Sequence, residues 1–239
     1  MNDLFISYAH IDDLPISEDQ KGWISEFHRV LQNRLAQLMG EKPKIWRDQK
    51  LSGSDIFDNE IVDQFKNTKL MVSVLSPRYI KSEWCNKEIK EFYRNAELSS
   101  GVALAGKSRV LKVVKTPYDP QDVHPELKQV FGSVLGFNFY DFDNDSGKVV
   151  EYNEAFGKEA RQNYFTRIYD LAYEICEILK KSDGKRSGLS ETTLPKQGAK
   201  TVYLATTTAD RNEDRENIAR DLRERGHLIL PDRQLPFDE

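Results

Sequence analysis

The chain has 239 residues, with 35 Lys and Arg against 39 Asp and Glu and a formal net charge of −4. That mildly acidic balance leaves no basic footprint for nucleic acid, and no apolar run approaches the ~20 residues that span a bilayer. The two cysteines, Cys85 and Cys176, lie far apart and fit neither a metal spacing nor a disulfide framework, so a reducing cytoplasm is the expected setting. Met1-Asn2-Asp3 leads straight into a strand pattern, which is not the layout of a signal peptide.

Residues 4–8, Leu-Phe-Ile-Ser-Tyr, read as a buried strand, and Trp23, Phe27, Val30, Leu31, Leu35 and Leu38 recur at helical spacing between Gly22 and Met39. Lys44-Ile45-Trp46 is a second short strand. The Ser52-Gly53-Ser54 cluster marks a loop, after which Ser54 or Asp55 caps a predicted helix through about Lys66. Residues 70–75, Leu-Met-Val-Ser-Val-Leu, form the clearest strand, ended by Pro77 and followed by a charged amphipathic segment from Ser82 to about Leu98. Val110 to Val114 is a further apolar run. A short helix is expected around Glu126 to Phe131, and a fifth strand at Val134 to Tyr140. Tyr164, Ile168, Leu171, Ile175 and Ile178 then follow the ladder of a strong final helix. Strands and helices alternating at this size imply an α/β fold, a five-stranded parallel sheet with helices on both faces. The flavodoxin-like order 2-1-3-4-5 fits five strands.

The composition changes at Lys180. Residues 181–200 are rich in Lys, Ser, Gly and Thr and read as a linker. Residues 201–239 read as the incomplete start of a second α/β domain. Its parts are a strand at Thr201 to Ala205, a helix over about Asp210 to Arg225 stopped by Gly226, and a strand at Leu228 to Leu230. One such unit buries little core by itself, so loose packing is expected unless it docks on the first sheet.

Open parallel sheets bind ligands beyond the carboxyl ends of their strands, where strand order reverses. That nominates the loops at residues 8–13 and 76–84. On a helical wheel of the segment starting near Ser82, Glu83, Lys87, Lys90, Glu91 and Arg94 share a charged sector, while Trp84, Cys85, Glu88, Ile89 and Phe92 share the other. Glu88 is the odd residue. Trp84, Cys85, Glu91 and Phe92 flank it, so no cation of its own helix reaches it, and a raised carboxyl pKa is expected. The alternative is an acid at the helix edge, or one paired with a Lys or Arg from elsewhere.

These segments resemble a TIR (Toll/interleukin-1 receptor) domain. Leu4-Phe5-Ile6-Ser7-Tyr8 is similar to its first box, Arg47-Asp48 with Leu51 and Gly53 to the loop after its second strand. Leu75-Ser76-Pro77 with Ser82-Glu83-Trp84-Cys85-Asn86-Lys87-Glu88 is similar to the Trp-Cys-x-x-Glu signature of bacterial and plant-type members. The resemblance covers about residues 3–180 and assigns a TIR domain to residues 1–180. It implies one of two functions. Enzymatic members cleave the nicotinamide–ribose bond of NAD with a Glu at the position of Glu88, giving nicotinamide and ADP-ribose or a cyclic isomer; others assemble as scaffolds without chemistry. NAD would then be substrate, with no bound cofactor or metal.

The resemblance further implies a bacterial defence effector activated by self-association, residues 48–56 acting as a mobile lid. Trp84 could stack on nicotinamide or be a plain core tryptophan. Ser7 and Tyr8 approach the crevice mouth, and Phe5 belongs to the core. Arg47 and Lys50, with the backbone around Gly53, could meet a pyrophosphate, while Lys50 also fits solvated surface charge. Asp48 matches a family position but equally suits an Asx turn. His10 and His124 read as loop residues. No Gly-x-Gly-x-x-Gly or P-loop is present, which disfavours dehydrogenases and nucleotide triphosphatases. A nucleoside base-transferring enzyme on a related fold is a third reading.

Overall fold

The computed structural model describes residues 2–18, 20–47, 64–99, 101–104, 106–132, 134, 136–143, 146–182, 184, 200–205, 207, 211–225 and 227–231. Its centre is a parallel sheet of five strands: β1 (Asn2–Tyr8), β2 (Ile45–Arg47), β3 (Thr68–Leu75), β6 (Val110–Val114) and β7 (Gly136–Asn138). They lie in the order β2-β1-β3-β6-β7, the expected 2-1-3-4-5 when the five are counted along the chain. Two small strands, β4 (Ala103–Leu104) and β5 (Lys107–Ser108), form a hairpin before β6.

Alternation along the central strands explains why helices cover both faces. Leu4, Ile6 and Tyr8 of β1, with Leu70, Val72 and Val74 of β3, enter one cluster, closed by α1 (Trp23–Met39) and the long α5 (Gly157–Ser182). Phe5 and Ala9, with Met71 and Leu75, enter the other, closed by α2 (Pro77–Ile80), α3 (Glu83–Leu98) and α4 (Pro125–Gly132). Strands buried on both faces read as continuous apolar runs, and those of β1 and β3 do. The ladder expected of α5 is wholly buried.

Two interruptions of that pattern matter. Ser7 and Ser73 are opposite each other in the β1/β3 register and both are buried. Their parity with Phe5 and Met71 turns them toward α3, so neighbouring strands leave a polar notch in an otherwise apolar layer.

The fifth strand is shorter than the expected 134–140. It stops at Asn138, and Phe139 donates its backbone N–H to Val114 O. The chain then forms a hairpin of β8 (Tyr140–Phe142) and β9 (Val149–Glu151), whose turn is held by the Asp143 carboxylate accepting from Ser146 N and by Gly147 at φ 65°. Of the helix expected from Ser54 or Asp55 to Lys66, residues 64–66 are helical. Its start, the loop with Asp48, Lys50 and Gly53, residues 185–199 of the linker and Gly226 lie outside the described residues.

At the C-terminal end, β10 (Thr201–Tyr203) and β11 (Leu228–Leu230) pair in parallel around α6 (Asn212–Glu224). The Arg215 guanidinium is buried against the carbonyls of Leu204 and Ala205. This unit meets α5: Arg220 donates twice to Asp170, at 3.1 and 2.7 Å. A partly exposed two-point pair is worth about 1 kcal/mol. Arg220→Ala should therefore lower the hydrogen-exchange protection of β10 and β11 by up to about tenfold while leaving β3 unchanged.

Candidate active site

Local sequence sets the site at the carboxyl ends of β1 and β3. Ser76 follows β3 and caps α2, its side chain accepting from Tyr79 N at 3.1 Å, with Pro77 pre-set for the first helical position. Ser82 caps α3 by accepting from Cys85 N. The charged sector of α3 faces outward, and Cys85, Glu88, Ile89, Phe92 and Ala96 are buried.

Glu88 is 3% exposed. Its Oε2 accepts from Ser7 Oγ at 2.5 Å and its Oε1 from Trp84 Nε1 at 3.1 Å. The wheel expected two aromatic faces around this acid; the structure supplies two donors, because the notch on β1 lies directly beneath it. The phenol of Tyr79, fully buried, lies 2.9 Å from Ser7 Oγ. Burial, then the charges of Cys85 and Glu88, push that phenol well above its ordinary range, while the Ser7 and Ser73 hydroxyls pull the other way. Burial, followed by Glu88, also pushes the Cys85 thiol far up. Its Sγ donates to Tyr8 O, and such a thiol is inert as a nucleophile.

A second polar group adjoins this one. Ser76 Oγ donates to Asp12 Oδ2 at 2.6 Å, and Lys115 Nζ lies 3.9 Å from Asp12 and 3.0 Å from Glu151. Burial raises the Asp12 carboxyl above its ordinary range, opposed by Ser76 and Lys115. The folded state therefore holds the Asp12 proton to higher pH than the unfolded chain does. Stability should fall as pH rises from the ordinary aspartate value through the raised one. Asp12→Asn should remove that contribution, so its urea midpoint gains on wild type across this window and then levels off.

A family model described as TIR domain matches residues 4–148. The chain belongs to the TIR domain family. Among solved structures, a similar chain is described as the structure of the activated Roq1 resistosome directly recognizing the pathogen effector XopQ (TIR domains). It is 15% identical over 72% of this chain and 84% of that chain, with a TM-score of 0.34. No curated protein matches. No helix among the described residues is long and apolar enough to cross a membrane.

Within the TIR domain, the expected site residues divide. Ser7, Trp84 and Glu88 are joined by hydrogen bonds. Tyr8 points to the opposite face of the sheet, as its strand parity requires, and its ring packs in the cluster under α1. Arg47 sits on that side too, its guanidinium donating to Asp13 Oδ2 at 3.2 Å and Ser25 Oγ at 3.1 Å and lying 6.0 Å from the Tyr8 ring. It ties β2 to the loop after β1. Asp48 and Gly53 are outside the described residues. Phe5 is core, stacked on Trp46 at 4.8 Å. Tyr79 was not singled out in the sequence; the available signal was a serine inside each of two apolar strands, Ser7 and Ser73, whose pairing only the register reveals.

Proposed function

We propose that this TIR domain is an NAD glycohydrolase in which Glu88 is the catalytic carboxylate. The observation that carries the reading is one buried acid at the carboxyl ends of β1 and β3, anchored by Ser7 and beside the half-buried indole of Trp84. The chemistry suits a single carboxylate. The bond between ribose C1′ and the pyridinium nitrogen breaks with its electron pair going to nitrogen, so nicotinamide leaves neutral and needs no acid. The developing positive charge on the ribose is what requires stabilisation, and a fixed carboxylate in a water-poor site provides it. Water then attacks C1′ and loses a proton, giving ADP-ribose; attack by an adenine nitrogen would give a cyclic isomer instead.

Self-association and a role in defence belong to the same reading, supported by the resemblance to bacterial effectors of this family. A scaffold function is the second reading. The observation favouring it is that both Glu88 oxygens already accept hydrogen bonds within the domain, so the indole must move from Oε1 before ribose can approach. Nicotinamide and ADP-ribose isomers should be followed with concentrated protein under crowding, for wild type and Glu88→Gln. Release that depends on Glu88 supports the enzyme. Release that survives the substitution places the chemistry elsewhere, and no release from wild type, even after forced assembly, favours the scaffold.

A further inference from the structure

We infer that Tyr79 is a positioning residue for Glu88, acting through Ser7: its hydroxyl donates to Ser7 Oγ, so the one proton of Ser7 is committed to Glu88 Oε2. The inference rests on Glu88 being the working acid of the proposed reaction. Its basis is proton counting. A serine hydroxyl has one proton and a carboxylate has none to give, so at 2.5 Å between Ser7 Oγ and Glu88 Oε2 the proton belongs to Ser7. The 2.9 Å contact between Ser7 and Tyr79 then has only one available donor, the phenol. Tyr79 keeps its proton through the neutral range, because burial opposes the phenolate. The result is a directed chain, Tyr79 to Ser7 to Glu88, ending on a charge-assisted bond.

The start of that chain is itself fixed. Tyr79 lies on α2, capped by Ser76, and Ser76 is held by Asp12 from the loop after β1. Orientation is therefore passed from that loop through α2 to the carboxylate. Tyr79 and Ser7 are buried while Trp84 is partly exposed. The chain thus anchors Oε2 on the inner side and leaves Oε1, under the indole, as the oxygen that faces substrate.

The test uses the full chain as wild type, Tyr79→Phe, Ser7→Ala and the double variant. Tyr79→Phe removes one oxygen and should lower kcat for NAD cleavage about tenfold, with KM changed less than about twofold. In the Ser7→Ala background it should have no further effect, because the link it acts through is gone. A purely structural tyrosine would instead give additive losses that follow the melting temperature, and that result overturns the inference. A readout independent of turnover is the Glu88 13Cδ titration: the midpoint should move to higher pH in Tyr79→Phe, and an unmoved midpoint also overturns it. If wild type cleaves no NAD, the proposed function fails, and the titration still decides whether Tyr79 orients Glu88. Should Ser7→Ala not fold, the titration of Tyr79→Phe carries the decision by itself.

Discussion

Glu88→Gln should cut nicotinamide release by about 10²–10³-fold or more while leaving the domain folded. The side chains have nearly the same shape, and the surrounding hydroxyls can adapt. A glutamine amide can donate to Ser7 Oγ, after which Ser7 donates to Tyr79 and the phenol turns its own proton to the Ser73 hydroxyl, so the chain reverses and the second amide hydrogen is the one donor added. Its carbonyl can still accept from Trp84. What disappears is the negative charge, the one property needed beside a ribose that gains positive charge. Glu88→Leu makes the contrasting case. It leaves the Ser7 and Trp84 donors without this acceptor in a buried site, and should cost about 2–3 kcal/mol of stability in addition to activity. Urea titrations of the two variants separate the charge from the packing. Equal destabilisation by Gln and Leu would contradict the hydrogen-bond account.

The largest effect on stability is expected on the opposite face. Phe139 is fully buried and makes edge-on contacts with Trp23, Phe27 and Tyr164, at centroid separations of 5.5, 5.7 and 5.7 Å. Trp23 and Phe27 belong to α1, Tyr164 to α5, and Phe139 to the short link between β7 and β8. One ring thus holds two helices against the edge of the sheet. Its backbone is pinned as well, with N–H donating to Val114 O and carbonyl accepting from Tyr152 N, so the site has little freedom to collapse around a smaller side chain. Phe139→Ala should cost about 3–5 kcal/mol, read as a lower urea midpoint with an unchanged slope. A loss below about 1 kcal/mol would mean that the cluster repacks.

Much of this was legible in the sequence because the signals were periodic. The apolar runs at 4–8, 70–75 and 110–114 locate the central strands, and the ladder from Tyr164 to Ile178 locates α5. Strand order then follows from topology rules. Glu88 was legible for another reason: an acid on the apolar sector of an amphipathic helix violates the pattern, and violations collect at functional sites.

Long-range geometry was the part that periodicity could not reach. Nothing local says that Ser7 and Ser73 share a register position, and so nothing local says that Tyr79 closes the notch between them. The expected fifth strand runs too far, to Tyr140, because Phe139 and Tyr140 extend its apolar run, and the hairpin of β8 and β9 is not among the expected elements. The turn residues that end it, Asp143 to Gly147, come only later. Tyr8 and Ser7 look equivalent at the mouth of the crevice until strand parity sends them to opposite faces.

The most direct test of the account is nicotinamide release from NAD by the concentrated full chain, with and without crowding, wild type beside Glu88→Gln. The account expects release by wild type, accompanied by ADP-ribose or a cyclic isomer, and its loss in the folded Gln variant. Equal release by both proteins would contradict it, because the reaction would then not pass through Glu88.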